Sequence, residues 1–271
     1  MRILIAVHDP SNADQVLRCA AQFAHCTDES CMVLALIESP KRPWPAGELP
    51  ERAREILGAP NLVIQQRAGD PLREILAELK RNPYDLLVVG ESETAQPAVP
   101  LLRERIAHRL AESSYCPVLV VRGAVRPFKH ILMCDSGAEN SVLRRFTVQL
   151  AEMLEGEEEI TVLHVMSQIS AGPGVPGRQL RADVQELIAE DAPEGRLLAH
   201  DLRLLSRRGI RPVAKVRHGL VVDEILAEAR AGDYDLVVIG AHQEQGWQRF
   251  LLDDLAHKIL AQMDRPVLVV R

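Results

Sequence analysis

Aromatic residues are scarce in this 271-residue chain, 3% in all, although 47% of it is hydrophobic. Its core must therefore be aliphatic, a composition suited to parallel strands covered by helices on both faces. Paired cysteines are missing too. Cys19, Cys26, Cys31, Cys116 and Cys134 form no CxxC with a matching partner pair, which argues against zinc. Their odd number and the lack of an export signal point to a reducing, cytoplasmic setting. MRILIAVHDP reads as a strand, with no cleavage region after it. There is no run of about 20 apolar residues, so no membrane partner is expected. There is no Lys/Arg-rich tract either, and the net charge is −6, which argues against nucleic acid as a partner. Neither a Ser-His-Asp order nor a Walker GK[ST] is present, and we expect no catalytic residues and no enzyme activity.

What the chain does contain is itself, twice. PYDLLVVGES at 83–92 answers DYDLVVIGAH at 233–242. ERIAHRLAESSYCPVLVVR at 104–122 answers DDLAHKILAQMDRPVLVVR at 253–271. RAGDPLREILAELK at 67–80 answers RHGLVVDEILAEAR at 217–230, and RILIAVHDP answers KHILMCDSG. The order of the blocks is the same in both copies. We read two domains, 1–123 and 128–271, joined by Ala124–Pro127.

Each copy alternates short apolar strands with helical spacing. In the first, Val16, Ala20, Phe23 and Ala24 share a helix face, ERAREIL forms a short helix, and Pro71 opens the helix PLREILAELKR. A further helix is expected near 103–113. The second copy has a longer middle section, with two helical pieces broken near Ala192-Pro193. The fold expected is α/β: two tandem doubly wound domains, each a five-stranded parallel sheet flanked by helices. Ligands of such sheets bind beyond the carboxyl ends of the strands. Those ends are His8–Ser11 and 90–100 in the first copy, Asp135–Asn140 and 240–252 in the second.

The ILIAV first strand, the GDPLREIL block, the YDLLVVG strand and the terminal CPVLVVR strand resemble the universal stress protein family, over nearly the whole chain and twice. The resemblance implies the same five-stranded fold, a cytoplasmic protein, and a division between members that bind ATP and members that do not. ATP-binding members carry G-x2-G-x9-G-[ST] after the fourth strand and an aspartate after the first. Glycines let the backbone approach the phosphates, and the final pair presents N–H groups at a helix N-terminus.

In the second copy Asp135 matches that aspartate and Gly240 the first glycine. Gln243 replaces the second glycine, with Gly246 nearby, and Asp253-Asp254 replace the final pair. Two carboxylates there would repel a triphosphate, and we read them as capping the helix instead. In the first copy His8 stands in the aspartate's place, Gly90 remains, both later glycines are gone, and Glu104-Arg105 occupy the final pair. The expectation is a protein that works through contacts with other proteins, with no cofactor. Two alternatives stand beside it. One is an ATP- or AMP-binding sensor using Asp135, Gly240 and Gly246. The other is a hydrolase of small phosphate esters, for which no nucleophile is identifiable.

Among other candidates, His108 and His257 recur at equivalent helix positions, and inheritance with the repeat explains them better than metal or catalysis. His8 faces the cleft and is a candidate ligand contact, whereas His164 in VLHVM reads as a buried histidine. Cys19 and Cys26, seven apart, read as core. Trp44 and Trp247 lie in loops as candidate interface or lid residues, and Glu157–Glu159 as a solvated turn. The two PVLVVR strands could pair within one chain as a pseudo-dimer, hiding two edges, with a homodimer and unidentified protein partners beyond that.

Overall fold

A computed structural model describes residues 1–23, 31–37, 48–58, 62–91, 106–135, 146, 158–166, 184–189, 193–207, 209–240 and 248–270. The chain divides into two compact units. Unit 1 is Met1–Pro127 with Asp264–Val269, and unit 2 is Phe128–Met263 with Val270–Arg271.

Unit 1 contains β1 (Ile3–Val7), α1 (Ala13–Ala21), β2 (Cys31–Ile37), α2 (Glu48–Leu57), β3 (Leu62–Ala68), α3 (Pro71–Arg81), β4 (Leu86–Gly90), α4 (Ile106–Ser113) and β5 (Val118–Val121). The strands run parallel in the order β3-β2-β1-β4-β5. Every residue of β1, β4 and β5 is buried. Alternation cannot bury every residue of a strand unless both sheet faces are covered, so the continuous apolar runs in the sequence are the direct signature of this layering. A sixth strand, β10 (Val267–Val270), lies antiparallel to β5, with Val267 opposite Val120, Leu268 opposite Leu119 and Val269 opposite Val118. Compact units and sequence repeats thus part company at one point: Asp264–Val269, from the second repeat, cluster with unit 1.

Unit 2 follows the same plan with β6 (His130–Asp135), β7 (Glu159–Met166), α5 (Val184–Ala189), α6 (Pro193–Ser206), β8 (Arg211–His218), α7 (Val221–Ala231), β9 (Leu236–Gly240) and α8 (Gln248–Gln262). Its parallel order is β8-β7-β6-β9. The α/β class expected from the repeats is the one observed. The longer middle section does hold two helices, α5 and α6, and Pro193 opens the second of them, where its missing N–H costs nothing.

Local chemistry explains where the helices begin. Asp70 caps α3, its Oδ1 accepting from the Arg73 N–H at 2.9 Å, and Pro71 takes the first position. The equivalent α7 follows Leu220, which supplies no side-chain cap. One expectation is corrected. Helix α8 begins at Gln248, so Asp253 and Asp254 fall in its second turn and do not sit at its entrance as caps. The reason is in the intervening residues. Gln248, Arg249, Phe250, Leu251 and Leu252 include no glycine to hold the chain in a loop, and the helix extends back through them.

Each unit is also pinned by a buried carboxylate. Glu78, 1% exposed, accepts from Arg67, from Tyr84 Oη at 2.8 Å and from Asn82 Nδ2 at 2.7 Å. Glu228 accepts from Lys215 Nζ, Arg217 Nε and Tyr234 Oη, each at 2.7 Å. Burial alone would raise the Glu228 carboxyl, but the hydrogen bonds from Lys215, Tyr234 and Arg217 outweigh it and hold it down to about 2. Burial and the Glu78 carboxylate together push the Tyr84 phenol up. These residues tie strand, helix and following loop together beneath each sheet.

Candidate functional site

In a doubly wound sheet the loops part where the strand order reverses, between β1 and β4 in unit 1 and between β6 and β9 in unit 2. In unit 1, β1 ends at Val7, and His8 leads into a 3-10 turn at Pro10–Asn12. Asp9 caps this turn, accepting from the Ser11 N–H at 2.9 Å and the Ser11 hydroxyl at 2.8 Å. Asn12 then folds inward, 8% exposed, over Gly90 at the end of β4. A Cβ on Gly90 would meet Asn12 Nδ2 at 2.8 Å and Val16 Cγ2 at 2.5 Å. Gly90 is therefore required by its own neighbours, whether or not any ligand approaches. Beyond it, the Glu91 carboxylate meets Arg122 at 2.6 Å.

The sequence reading missed both Asn12 and the Glu91–Arg122 pair. Glu91 directly follows a strand-end glycine, which was the available signal. Nothing in a single sequence says that Asn12 turns inward. Asn12 and Val16 thus crowd the Cβ side of Gly90, and the Glu91–Arg122 pair follows directly after it in the chain.

In unit 2 the register pairs Ile131 with Leu236, Leu132 with Val237 and Met133 with Val238. Two residues further along each strand are Asp135 and Gly240, so the structure brings these two candidates to the same level on neighbouring strands. Asp135 is also level with His164 of β7, which is buried. Gly246 and Gln243 lie outside the described residues, as do Trp44, Trp247, Cys26, Glu104, Arg105 and Glu157. His108 lies within 3.4 Å of Glu112 one turn on, and His257 is exposed. Cys19 is buried in the core.

The same hydrogen bonds decide which residues correspond between the copies. The Asp85 N–H donates to the Arg2 carbonyl, and the Asp235 N–H donates to the His130 carbonyl. Counting from those anchors, Asp135 is level with Val7, one position before His8. The aspartates serve the backbone as well. Asp85 Oδ2 accepts from the Arg2 N–H at 2.7 Å, and Asp235 Oδ2 from the His130 N–H at 3.0 Å.

The residues aligned with the phosphate motif's closing pair are inside a helix. A helix leaves only its first four N–H groups without an internal acceptor. Those of α8 belong to residues 248–251, so the N–H groups of Asp253 and Asp254 are committed to carbonyls four residues back. An anion at this position would meet no free backbone donors. Among the described residues no helix is long and apolar enough to cross a membrane, and no cluster of three His, Cys, Asp or Glu is placed to hold a metal.

Comparison with known proteins supplies the remaining context. The model of the universal stress protein family matches residues 1–122 and again 127–271. A universal stress protein of Methanocaldococcus jannaschii is 24% identical over 163 residues, covering 60% of this chain and 93% of that protein. Among solved structures, a universal stress protein from Archaeoglobus fulgidus aligns with a TM-score of 0.64 and 17% identity, over all of this chain and 96% of its own. A candidate universal stress protein from Pseudomonas aeruginosa aligns with a TM-score of 0.69 and 18% identity, over 99% and 92%. At these identities the structural likeness speaks for the fold alone.

Proposed function

Since the chain belongs to the universal stress protein family, with a family match in each half, we propose that it is a cytoplasmic stress-response protein that acts through protein contacts and holds no ATP in either cleft. The observation that carries this reading is the placement of Asp253 and Asp254 within α8, where the ATP-binding pattern requires a loop ending in Gly-Ser or Gly-Thr. In the first copy, Asn12 over Gly90 and the Glu91–Arg122 pair support it. The two repeats act as a pseudo-dimer within one chain, a reading supported by the antiparallel register of β5 and β10.

One observation favours a second reading, a nucleotide sensor in the second copy. Asp135 and Gly240 end neighbouring strands at one level, as a ribose-and-phosphate site would need. Calorimetry of ATP with the full chain, with and without magnesium, separates the two. No heat and no thermal shift at millimolar ATP is the outcome expected. Binding that disappears in Asp135→Ala would establish the sensor and reject the present reading.

A further inference from the structure

Strand β3 ends the sheet of unit 1 and β8 ends that of unit 2. They are equivalent strands, 150 residues apart, as Val63 and Val213 show, 42% and 40% exposed respectively. Their edges are not equivalent chemically. β8 reads RPVAKVRH: Pro212 removes a backbone donor, and Arg211, Lys215 and Arg217 line the strand with cations. Those are the devices by which proteins keep an exposed edge from pairing with another chain. β3 reads LVIQQRA, with Leu62 where β8 has Pro212 and Gln65 where it has Lys215. Its one charge, Arg67, is turned onto Glu78 as Arg217 is onto Glu228, so proline and the central lysine are what separate the two edges. Val63, Gln66 and Ala68 are exposed along it.

We propose that β3 is a homodimerisation edge, pairing antiparallel with β3 of a second copy of this chain. The strand's own sequence favours a copy of itself as the occupant. Centred on Gln65, antiparallel pairing sets Gln65 against Gln65, Ile64 against Gln66, Val63 against Arg67 and Leu62 against Ala68. No two charges meet, and the two glutamine amides can hydrogen-bond across the axis. The same register in β8 would set Lys215 against Lys215 and bring Pro212 into the ladder. One repeat has kept an open edge and the other has closed it, so a closed pair of chains forms where two open edges would propagate. The proposal stands apart from the ATP reading, and the failure of either leaves the other in place.

The second copy also supplies a test variant that should fold. Leu62→Pro with Gln65→Lys transplants Pro212 and Lys215 onto β3, and Lys215 shows how the new lysine reaches the buried carboxylate. Sedimentation velocity of the full chain from 1 to 100 µM is the measurement. The wild type should move from 30.1 kDa toward twice that mass, with amide exchange over 62–68 slowing as concentration rises. The double variant should remain at 30.1 kDa, with unchanged circular dichroism and a dilute-solution melt within a few degrees of wild type. A wild type that stays monomeric at 100 µM overturns the proposal, and so does a folded double variant that dimerises as readily as the wild type.

Discussion

Gly90 ends a strand of the first copy, and a strand-end glycine there invites a phosphate. Its surroundings give it a different reason to be there. Replacing it with alanine drives a methyl group to within 2.5 Å of Val16 Cγ2 and 2.8 Å of Asn12 Nδ2. Gly90→Ala should cost about 1–3 kcal/mol, as overpacking does, read as a lower urea midpoint at unchanged slope. Glu228 gives a prediction in pH. Its carboxyl is depressed to about 2 in the folded protein, from an ordinary value of 4.5. The stability it contributes is therefore complete above about pH 4.5 and is lost as pH falls toward 2. Glu228→Gln should lower stability at pH 7 by about 3 kcal/mol, leaving Lys215 and Arg217 without their carboxylate. Denaturant titrations of both proteins between pH 7 and 2 should converge at the acid end. Parallel curves would show that Glu228 does not drive the acid sensitivity.

At the scale of elements, α3 and α7 are one helix written twice, differing at the cap. Asp70 supplies a side-chain acceptor and Leu220 does not. Leu220→Asp should therefore stabilise unit 2 by about 1 kcal/mol, seen as a raised melting temperature, and Asp70→Ala should destabilise unit 1 by a similar amount. These elements were legible in sequence because their signals are local. Pro71 marks a first turn, Gly90 and Gly240 end apolar runs, and Pro193 restarts a helix.

The start of α8 was not legible in the same way. Two aspartates before an apolar stretch look like a cap, and only the uninterrupted helix formers upstream carry the true boundary back to Gln248. The buried carboxylates escaped for another reason. Glu78 and Glu228 repeat 150 residues apart, as do Tyr84 and Tyr234, so the letters were visible. A glutamate on an amphipathic helix is ordinarily solvated, however, and what buries these two is an arginine from a neighbouring strand. The candidate site was half legible for the same reason. Strand ends can be read from pattern, but the inward turn of Asn12 depends on packing against a strand far away in the sequence.

On the scale of the whole molecule, the repeat gave the class of fold, the likeness of the two halves and the two PVLVVR strands as candidate partners, while their antiparallel register came from the structure. Leu268 and Leu119 face each other in the antiparallel pair of β10 and β5, both completely buried. Leu268→Asp places an unpaired carboxylate there and should cost more than 3 kcal/mol, with loss of the cooperative melt of the sheet. A melting curve superimposable on the wild type would refute the proposed pairing of the repeats through these strands.

Synthesis on the ribosome gives β10 a further consequence. It emerges only after nearly all of unit 2, so the VLVV edge of β5 is made early and completed late. At roughly 5–20 residues per second, that edge waits on the order of ten seconds for its partner. For that interval the nascent chain carries a bare apolar strand from a finished five-stranded sheet, the kind of surface that recruits chaperones or neighbouring nascent chains. A protein of this family with its last strand withheld is therefore most vulnerable while it is being made, when the first unit is folded but not yet closed.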